Sequence, residues 1–289
     1  MKVRAAAMRG AALLIALLLV ASASLLVAEL VRRSQLDVQR ALLIADSERA
    51  WQLAAGVDAL VRARLRRAEG DASALVELGS VRYPIPGGQV LARVIDPGGR
   101  FNLNALAVAE PGDRAQAAAA LRRLLLAAGV DPQTADRRIA ALVEALPAAG
   151  DGAAGLWLHP SELAAVPGWD PALRARLTAW ITTLPDAGAP LNVNQAPVEV
   201  LAAWIDGLGR EAAARLQARA PFDSLDQALS TPELQLLDAR ELAGRLTVRS
   251  PWLLVHTRVE LDGRAHDQFR LIRRAGTEYD ARYLSIGSD

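Results

Sequence analysis

The sequence contains no cysteine in its 289 residues. This absence excludes disulfide bonds, thiolate nucleophiles, cysteine-ligated zinc and iron–sulfur clusters. Histidine is rare as well, with only His159, His256 and His266, and aromatic residues make up 4% of the chain. Three histidines are too few to make a histidine-rich metal site a strong candidate. Most catalytic arrangements that depend on cysteine or histidine are excluded before any motif is considered.

An excess of charge is also lacking. The 33 basic and 32 acidic residues give a formal net charge of +1, and Lys2 is the only lysine. A nearly neutral chain argues against a protein that wraps nucleic acid through bulk electrostatic attraction. Hydrophobic residues make up 52% of the chain and charged residues 22%, which excludes wholesale disorder. The length suffices for about two domains with a real core.

The N-terminus carries the strongest pattern in the sequence. Residues 1–10 include basic side chains but no acid, and residues 11–28 are all uncharged. With two more apolar residues just beyond, this stretch reaches the ~20 residues that cross a hydrocarbon layer of ~30 Å. The pattern predicts a transmembrane segment at 11–31. The positive-inside rule then keeps residues 1–10 in the cytoplasm and sends the bulk of the chain across the membrane.

Three interpretations of this N-terminus compete. It could be a secretory signal cleaved at Ala21-Ser22-Ala23, an uncleaved anchor, or a leader cut on the cytoplasmic side between Gly10 and Ala11. The residues from 29 to 69 contain no proline and a single glycine, Gly56, and their apolar residues recur mostly three, four or seven apart. This spacing predicts one amphipathic helix that continues from the membrane to about residue 69. A secretory signal does not normally merge into the mature fold in this way.

The sequence pattern of the exported part changes twice, from strand to helix and back to strand. Residues 89–96 and 252–261 are typical of strands, and Asp262-Gly263 predicts a tight hairpin turn that leads into a partner strand at 265–273. Between them, the stretch from about 104 to 246 is helical and is punctuated by proline and glycine. The sequence therefore predicts one α+β domain with a long helical insertion.

Two segments of the insertion look like helical hairpins. Leu163–Trp169 has a glycine at a tight turn, and the second segment turns at Gly207-Leu208-Gly209. We expect Gly209 to need a positive φ or a close approach, so Gly209→Val should lower stability. In DNA-binding hairpins the amides of such a turn face a phosphate. Basic and acidic residues both lie near the second turn, so a packing module and a DNA-binding module both remain open.

The leader, apolar helix and amphipathic extension together resemble a type IV pilin-like protein. The resemblance implies that the prepilin peptidase cuts after Gly10 and that Ala11 becomes a new, methylated N-terminus. The family usually has glutamate at the fifth mature position, where this sequence has Ile15. One subclass of minor pseudopilins also lacks this glutamate.

Three further segments narrow the resemblance. Val94–Leu106, Leu163–Trp169 with Glu162 before it, and Asn192-Val-Asn194 followed by Ala196 and Pro197 are similar, in that order, to segments of the type II secretion system minor pseudopilin K (general secretion pathway protein K). Gln195 replaces the usual threonine of the third segment. With the leader and the terminal hairpin, the resemblance covers essentially the whole chain.

The resemblance implies an α+β fold. A long N-terminal transmembrane and amphipathic helix packs on a small antiparallel sheet, and a large all-α domain of two SAM-like modules is inserted. The expected divisions are a leader at 1–10, a transmembrane segment at 11–31, a pseudopilin core at 32–103 and 247–289, and modules at 104–189 and 190–246.

The resemblance also implies a non-enzymatic role. The chain would cap the tip of a periplasmic pseudopilus together with minor pseudopilins I and J, with minor pseudopilin H and the major pseudopilin as further neighbours. It would be a prepilin peptidase substrate, anchored in the inner membrane by one helix with its globular part in the periplasm. No cofactor or nucleic acid is expected. Some members hold calcium in an acid-rich loop, but residues 147–155 offer only Asp151, whereas calcium takes six to eight oxygen ligands.

Ile15 fits a tip position on physical grounds. An acid buried in lipid costs about 2.5–3.5 kcal/mol by insertion scales, and it is tolerated where it pairs with the amine of the subunit above. A subunit at the apex has no such neighbour, although Ile15 is also an ordinary apolar residue in an anchor. Farther along the helix, we expect Trp51, Val57 and Leu60 to form a seam with the helices of I and J. Two rival hypotheses are a membrane-anchored helix-hairpin-helix DNA receptor and a periplasmic enzyme released after Ala23.

Overall fold

The computed structural model describes the backbone of residues 2–67, 73–146, 156–157, 159–275 and 278–286, and the side chains of all of these except 2–16, 73–74 and 275–286. Nine α-helices are described: α1 Lys2–Arg67, α2 Ser73–Glu77, α3 Pro111–Ala127, α4 Pro132–Ala145, α5 Pro171–Leu177, α6 Val198–Trp204, α7 Arg210–Arg219, α8 Leu225–Leu229 and α9 Ala239–Arg245. The described strands are β1 Ser80–Ile85, β2 Gly88–Ile95, β3 Phe101–Asn102, β4 Ile181–Thr182, β5 Leu191–Asn192, β6 Leu246–Thr247, β7 Trp252–Leu261, β8 Arg264–Ala275 and β9 Glu278–Ile286.

Five of these strands form one antiparallel sheet in the order β1-β2-β7-β8-β9. The central hairpin of β7 and β8 turns at Asp262-Gly263, as the sequence predicts. Both turn residues have a positive φ, 48° and 80°. A two-residue hairpin turn needs this conformation when its backbone twist matches the twist of the flanking strands. The pairing of β2 with β7 joins chain segments on either side of the helical insertion, so the sheet is completed only after the insertion has been traversed.

The long helix α1 covers one face of this sheet. Its stripe of small and branched residues contains Ala50, Ala54, Val61 and Leu65, which are all buried. Ala50, Val61 and Leu65 pack on alternate residues of β2, β7 and β8, since one face of a strand carries every second residue. The prediction of a single helix that continues to about residue 69 is confirmed, because α1 ends at Arg67.

The helical insertion packs around one continuous core that runs from Phe101 to Leu246. Two short parallel strand pairs, β3 with β4 and β5 with β6, close it at its ends. The predicted α+β architecture with a helical insertion is therefore confirmed. SAM-like modules are not confirmed, and the predicted divisions of the chain stay predictions.

Two strands of the sheet were not predicted. The first strand expected from the sequence begins at residue 89, yet Ser80–Ile85, which contains Pro84, forms the edge strand β1. The strand β9, at the other edge, was also missed.

No helix in the described part of the chain is long and apolar enough to cross a membrane. The transmembrane segment expected at 11–31 is thus not confirmed and stays a prediction.

Candidate partner interface

The three residues of the predicted seam do not share one environment. The Trp51 and Leu60 side chains are 46% and 61% exposed. In contrast, Val57 is half-buried and packs against the protein's own sheet clusters. The expectation that Val57 faces a partner therefore needs correction, because the helix stripe that carries it is the one that covers β2, β7 and β8.

Trp51 and Leu60 lie on opposite flanks of the sheet-covering stripe. At ~3.6 residues per turn, the spacing between them is about two and a half turns of helix. Ile44 lies on the Trp51 flank, seven residues earlier, and Leu42 lies on the Leu60 flank, about five turns earlier. Both are exposed. The helix thus presents two separate apolar flanks rather than one seam.

The Trp51 flank borders an open groove of about 600 Å³ between α1 and β8. Leu43, Ile44 and Trp51 supply apolar lining, while α1 and β8 both supply polar lining, from Ser47, Glu48, His266, Asp267 and Gln268. A groove with this lining suits the side chains of a neighbouring helix, because it offers apolar contact area bordered by polar groups.

The remaining predicted site residues are Gly10, Ala11 and Ile15. Their backbone lies within α1, but their side chains lie outside the described residues. Cleavage after Gly10 and the marker role of Ile15 therefore stay predictions.

The structure brings two of the three sequence segments together. A Cβ added to Gly99, in the first segment, would lie 2.4 Å from the backbone of Gln195, in the third. Only glycine allows this close approach. At the same junction, Asn192 donates to Asp96 at 2.7 Å. Burial raises the pKa of Asp96, while hydrogen bonds from Gly98, Asn192 and Ser250 oppose that rise.

Asn104 and Asn194, which lie in these segments, each join distant parts of the backbone by hydrogen bonds, and we call them latches. The Asn104 amide donates to the carbonyl oxygens of Trp157 and Leu184, at 2.8 and 2.9 Å, and its oxygen accepts the Trp157 amide at 3.0 Å. The Asn194 amide makes the same kind of contacts with Phe222 and Val248. Each asparagine makes hydrogen bonds with backbone groups that have no partner within a helix or strand.

The two latches repeat a common plan. Asn102 and Asn192 each end a short strand in a parallel pair, and the side-chain oxygen of each accepts the amide of the residue two positions later. The two halves of the helical insertion are therefore built around equivalent asparagine pairs. The asparagines of the first and third segments thus stabilise the fold and do not form a ligand site.

Each of the three arginines near the second hairpin is paired with an acid. Arg210 pairs with Glu199 at 2.7 Å. Arg215 and Arg219 both pair with Glu233, at 3.3 and 3.2 Å. A DNA-binding hairpin needs unpaired basic groups around its turn, so this geometry favours the packing module over the DNA receptor.

The expected role of Gly209 is wrong. Gly209 has a φ of −66° and is the N-cap residue directly before α7, and a Cβ added there would meet no described atom within 4 Å. The residue that needs glycine is Gly207, which has a φ of +77° and lies close to Leu237. Gly168, at the first hairpin turn, also has a positive φ, 85°.

We expect Gly207→Ser to lower the free energy of unfolding by about 1–3 kcal/mol, because a non-glycine residue is strained at this φ. The matched change Gly209→Ser should be nearly neutral, since serine is a good residue at the start of a helix. Urea denaturation of both variants measures the difference. Equal losses at the two positions would contradict the assignment.

His159 and Glu162 form a reciprocal cap on the short 3-10 helix at Pro160–Ala165. In the part of the chain that the structure describes, no three histidine or acidic residues are grouped so as to hold a metal ion. Asp151, the acid in the loop where some relatives bind calcium, lies outside the described residues.

Asp58 is a buried acid between α1 and the chain's own sheet, and it was not singled out from the sequence. Its side chain is buried on the sheet-covering stripe of α1 and pairs with Arg270 of β8. Burial raises the pKa of Asp58, and the Arg270 and Arg62 guanidiniums oppose that rise. A single acid within an apolar stripe was the signal that could have revealed it.

Comparison with known proteins gives consistent matches. Family models described as "Type II secretion system (T2SS), protein K" match residues 99–186 and 191–249. Type II secretion system protein K of Pseudomonas aeruginosa is 30% identical over 228 residues, which is 68% of either chain. A chain in the crystal structure of the GspK-GspI-GspJ complex from the enterotoxigenic Escherichia coli type 2 secretion system superposes with a TM-score of 0.72 at 21% identity. That match covers 86% of this chain and 100% of the other.

A long N-terminal helix packed on a small antiparallel sheet defines the class of this molecule, a pilin-like protein. Within that class, the chain belongs to the type II secretion system protein K family, the minor pseudopilins K. The family is a structural component of the secretion system.

Proposed function

We propose that this chain caps the tip of a periplasmic pseudopilus together with minor pseudopilins I and J and helps to start its assembly. In this role it is a non-enzymatic subunit that serves the export of folded proteins across the outer membrane. Minor pseudopilin H and the major pseudopilin are the neighbours farther down the filament.

The observation that carries this proposal is the asymmetric covering of α1. One stripe of the helix is buried on the chain's own sheet, while the Trp51 and Leu60 flanks stay exposed on either side of it. A helix with two open apolar flanks suits two neighbouring helices, as in a bundle. The similar fold was crystallised in a complex of three different subunits, which agrees with two partners.

A tip position is supported by two further features. Ile15 stands where pilin-like proteins usually carry a glutamate that pairs with the subunit above, and an apex subunit loses nothing by lacking it. The helical insertion is a second support, because so large a block is awkward to repeat within a tightly wound filament. We propose a single-pass anchor at 11–31 in the inner membrane, with the globular part in the periplasm.

Copurification tests the proposal. The full-length chain, tagged at its C-terminus and coexpressed with its I and J subunits, should retain both after detergent extraction and washing in high salt. A tagged major pseudopilin serves as the control, since it should not enrich I and J to the same extent. Recovery of the chain without either subunit would contradict the tip role.

Gly10→Val should leave an uncut precursor in the inner membrane, because the peptidase of this family cuts after glycine. Mass spectrometry of the unaltered protein should find Ala11, with a methylated amine, as the first residue. Gly56→Val, which alters the only glycine farther along α1, should leave processing unchanged. A mature protein that starts at Ser24 would instead indicate a secretory signal.

A further inference from the structure

Two charge pairs join α1 to the strand β8. The Asp46 carboxylate lies 2.8 Å from the Arg264 guanidinium at one end of the contact. Farther along, Asp58 pairs with Arg270, and both of these side chains are largely buried. Both carboxylates project from α1 and both guanidiniums from one face of β8, since residues an even number apart share a face of a strand.

The spacings of the two pairs match each other. Asp46 and Asp58 are twelve residues apart, or ~18 Å along a helix that rises ~1.5 Å per residue. Arg264 and Arg270 are six residues apart, or ~20 Å along a strand at ~3.3 Å per residue. Both acids of α1 can therefore reach both arginines of β8 only when α1 occupies one axial position on the sheet.

The middle of the apolar stripe of α1 does not fix that position by itself. After a slip of four residues, Ala54 takes the place of Ala50 and Val61 takes the place of Val57, and both replacements conserve volume. The ends of the stripe do oppose a slip, because Glu69 would replace the fully buried Leu65 in one direction and Asp46 would replace the buried Ala50 in the other. The acids, rather than the central apolar residues of α1, therefore distinguish the registers.

The charges discriminate between these registers. A slip of three or four residues in either direction would place opposite Arg270 one of four residues, Ala54, Ala55, Val61 or Arg62. The corresponding residues opposite Arg264 would be Leu42, Leu43, Arg49 or Ala50. None of these is an acid, so every one-turn slip would leave a buried guanidinium without its carboxylate.

We propose that the Asp46–Arg264 and Asp58–Arg270 pairs form a register lock that holds the sheet and the helical insertion at one height along α1. Buried polar groups that select one register are known from coiled coils. Here the buried pair is Asp58–Arg270, and the Arg264 side chain of the second pair is 51% exposed. The lock would keep every surface of the sheet and of the helical insertion at a fixed distance from the N-terminal end of α1. This inference does not depend on the proposed tip role.

Distance measurement by pulsed electron spin resonance tests the lock on the full chain in detergent. The sequence has no cysteine, so Gln39→Cys on α1 and Leu236→Cys on the helical insertion, both exposed, accept the two labels. We expect one narrow distance in the parent protein. The variant Asp46→Ala, Arg264→Gln, Asp58→Leu, Arg270→Leu should add distances displaced by up to ~6 Å, the rise of four helical residues.

This variant removes both members of each pair and so leaves no buried charge unpaired. The matched control removes Arg122 and Asp136, an exposed pair at 2.7 Å within the helical insertion, by Arg122→Gln and Asp136→Ala, and should keep the parent distance. A folded four-site variant with the single parent distance would overturn the proposal.

A charge exchange keeps the proposal testable if the four-site variant does not fold. In the Asp58→Leu, Arg270→Leu background, Asp46→Arg should broaden the distance distribution, because two arginines then face each other. Adding Arg264→Asp should restore the single parent distance. Failure of the second change to restore it would also overturn the lock.

Discussion

Asn104→Ala should lower the free energy of unfolding by about 3–5 kcal/mol. The side chain is fully buried and makes hydrogen bonds with both backbone groups of Trp157 and with the carbonyl of Leu184. Each buried group that loses its partner costs about 1–3 kcal/mol. Alanine also leaves a cavity where the amide was, and tight packing around it limits collapse.

Urea denaturation of residues 32–289, followed by tryptophan fluorescence, measures this loss. The matched control is Gln116→Ala, which removes an exposed amide whose contact is with Glu241 and should cost no more than about 0.5 kcal/mol. Asn194→Ala should resemble Asn104→Ala, since it latches the second half in the same way. A loss below about 1 kcal/mol at both asparagines would show that the latches do not stabilise the insertion.

Strong local patterns predicted the elements that the structure confirms. The α1 helix follows from a long stretch without proline and with apolar residues at helical spacing. The β7–β8 hairpin follows from the alternation of residues 255–261 and from the turn signal Asp262-Gly263 that comes directly after them. In both cases, the decisive information lies within a few neighbouring residues, so no knowledge of distant partners is needed.

The edge strands escaped prediction for identifiable reasons. Pro84 lies inside β1, where a residue without an amide hydrogen is compatible with an edge strand but not with a central one. The pairing of β9 with β8 shifts register between Leu271 and Ile272, so its residues do not keep a clean alternation. Only the presence of the neighbouring strand shows that these segments belong to the sheet.

The roles of individual residues were harder to predict than the elements. The asparagines were found through the family resemblance, but their partners Trp157, Leu184 and Phe222 lie 28 to 80 residues away in sequence. Val57 and Leu60 have the same apolar character, and only the position of the sheet separates the covered residue from the exposed one. The partners of the asparagines and the exposure of Val57 and Leu60 both depend on long-range packing, which no local sequence pattern predicts.

Trp51→Asp and Leu60→Asp should each weaken the assembly with I and J by about 30-fold to 1,000-fold. A charge buried without a partner in an apolar contact costs several kcal/mol, and each 1.4 kcal/mol is a tenfold change in affinity. Since the two residues lie on opposite flanks of α1, we expect the two variants to release different partners. Pull-down of the coexpressed full-length subunits identifies which subunit is lost.

Two comparisons separate this effect from misfolding. Gln52→Asp, on the exposed face between the two flanks, introduces the same charge and should leave both partners bound. Val57→Asp should instead lower the melting temperature of the isolated chain, because its side chain packs on its own sheet. The Trp51 and Leu60 variants must keep wild-type helicity and melting in circular dichroism. If they do and still retain both subunits at wild-type affinity, then the flanks of α1 are not the binding surfaces, and the helical insertion is the surface to test next.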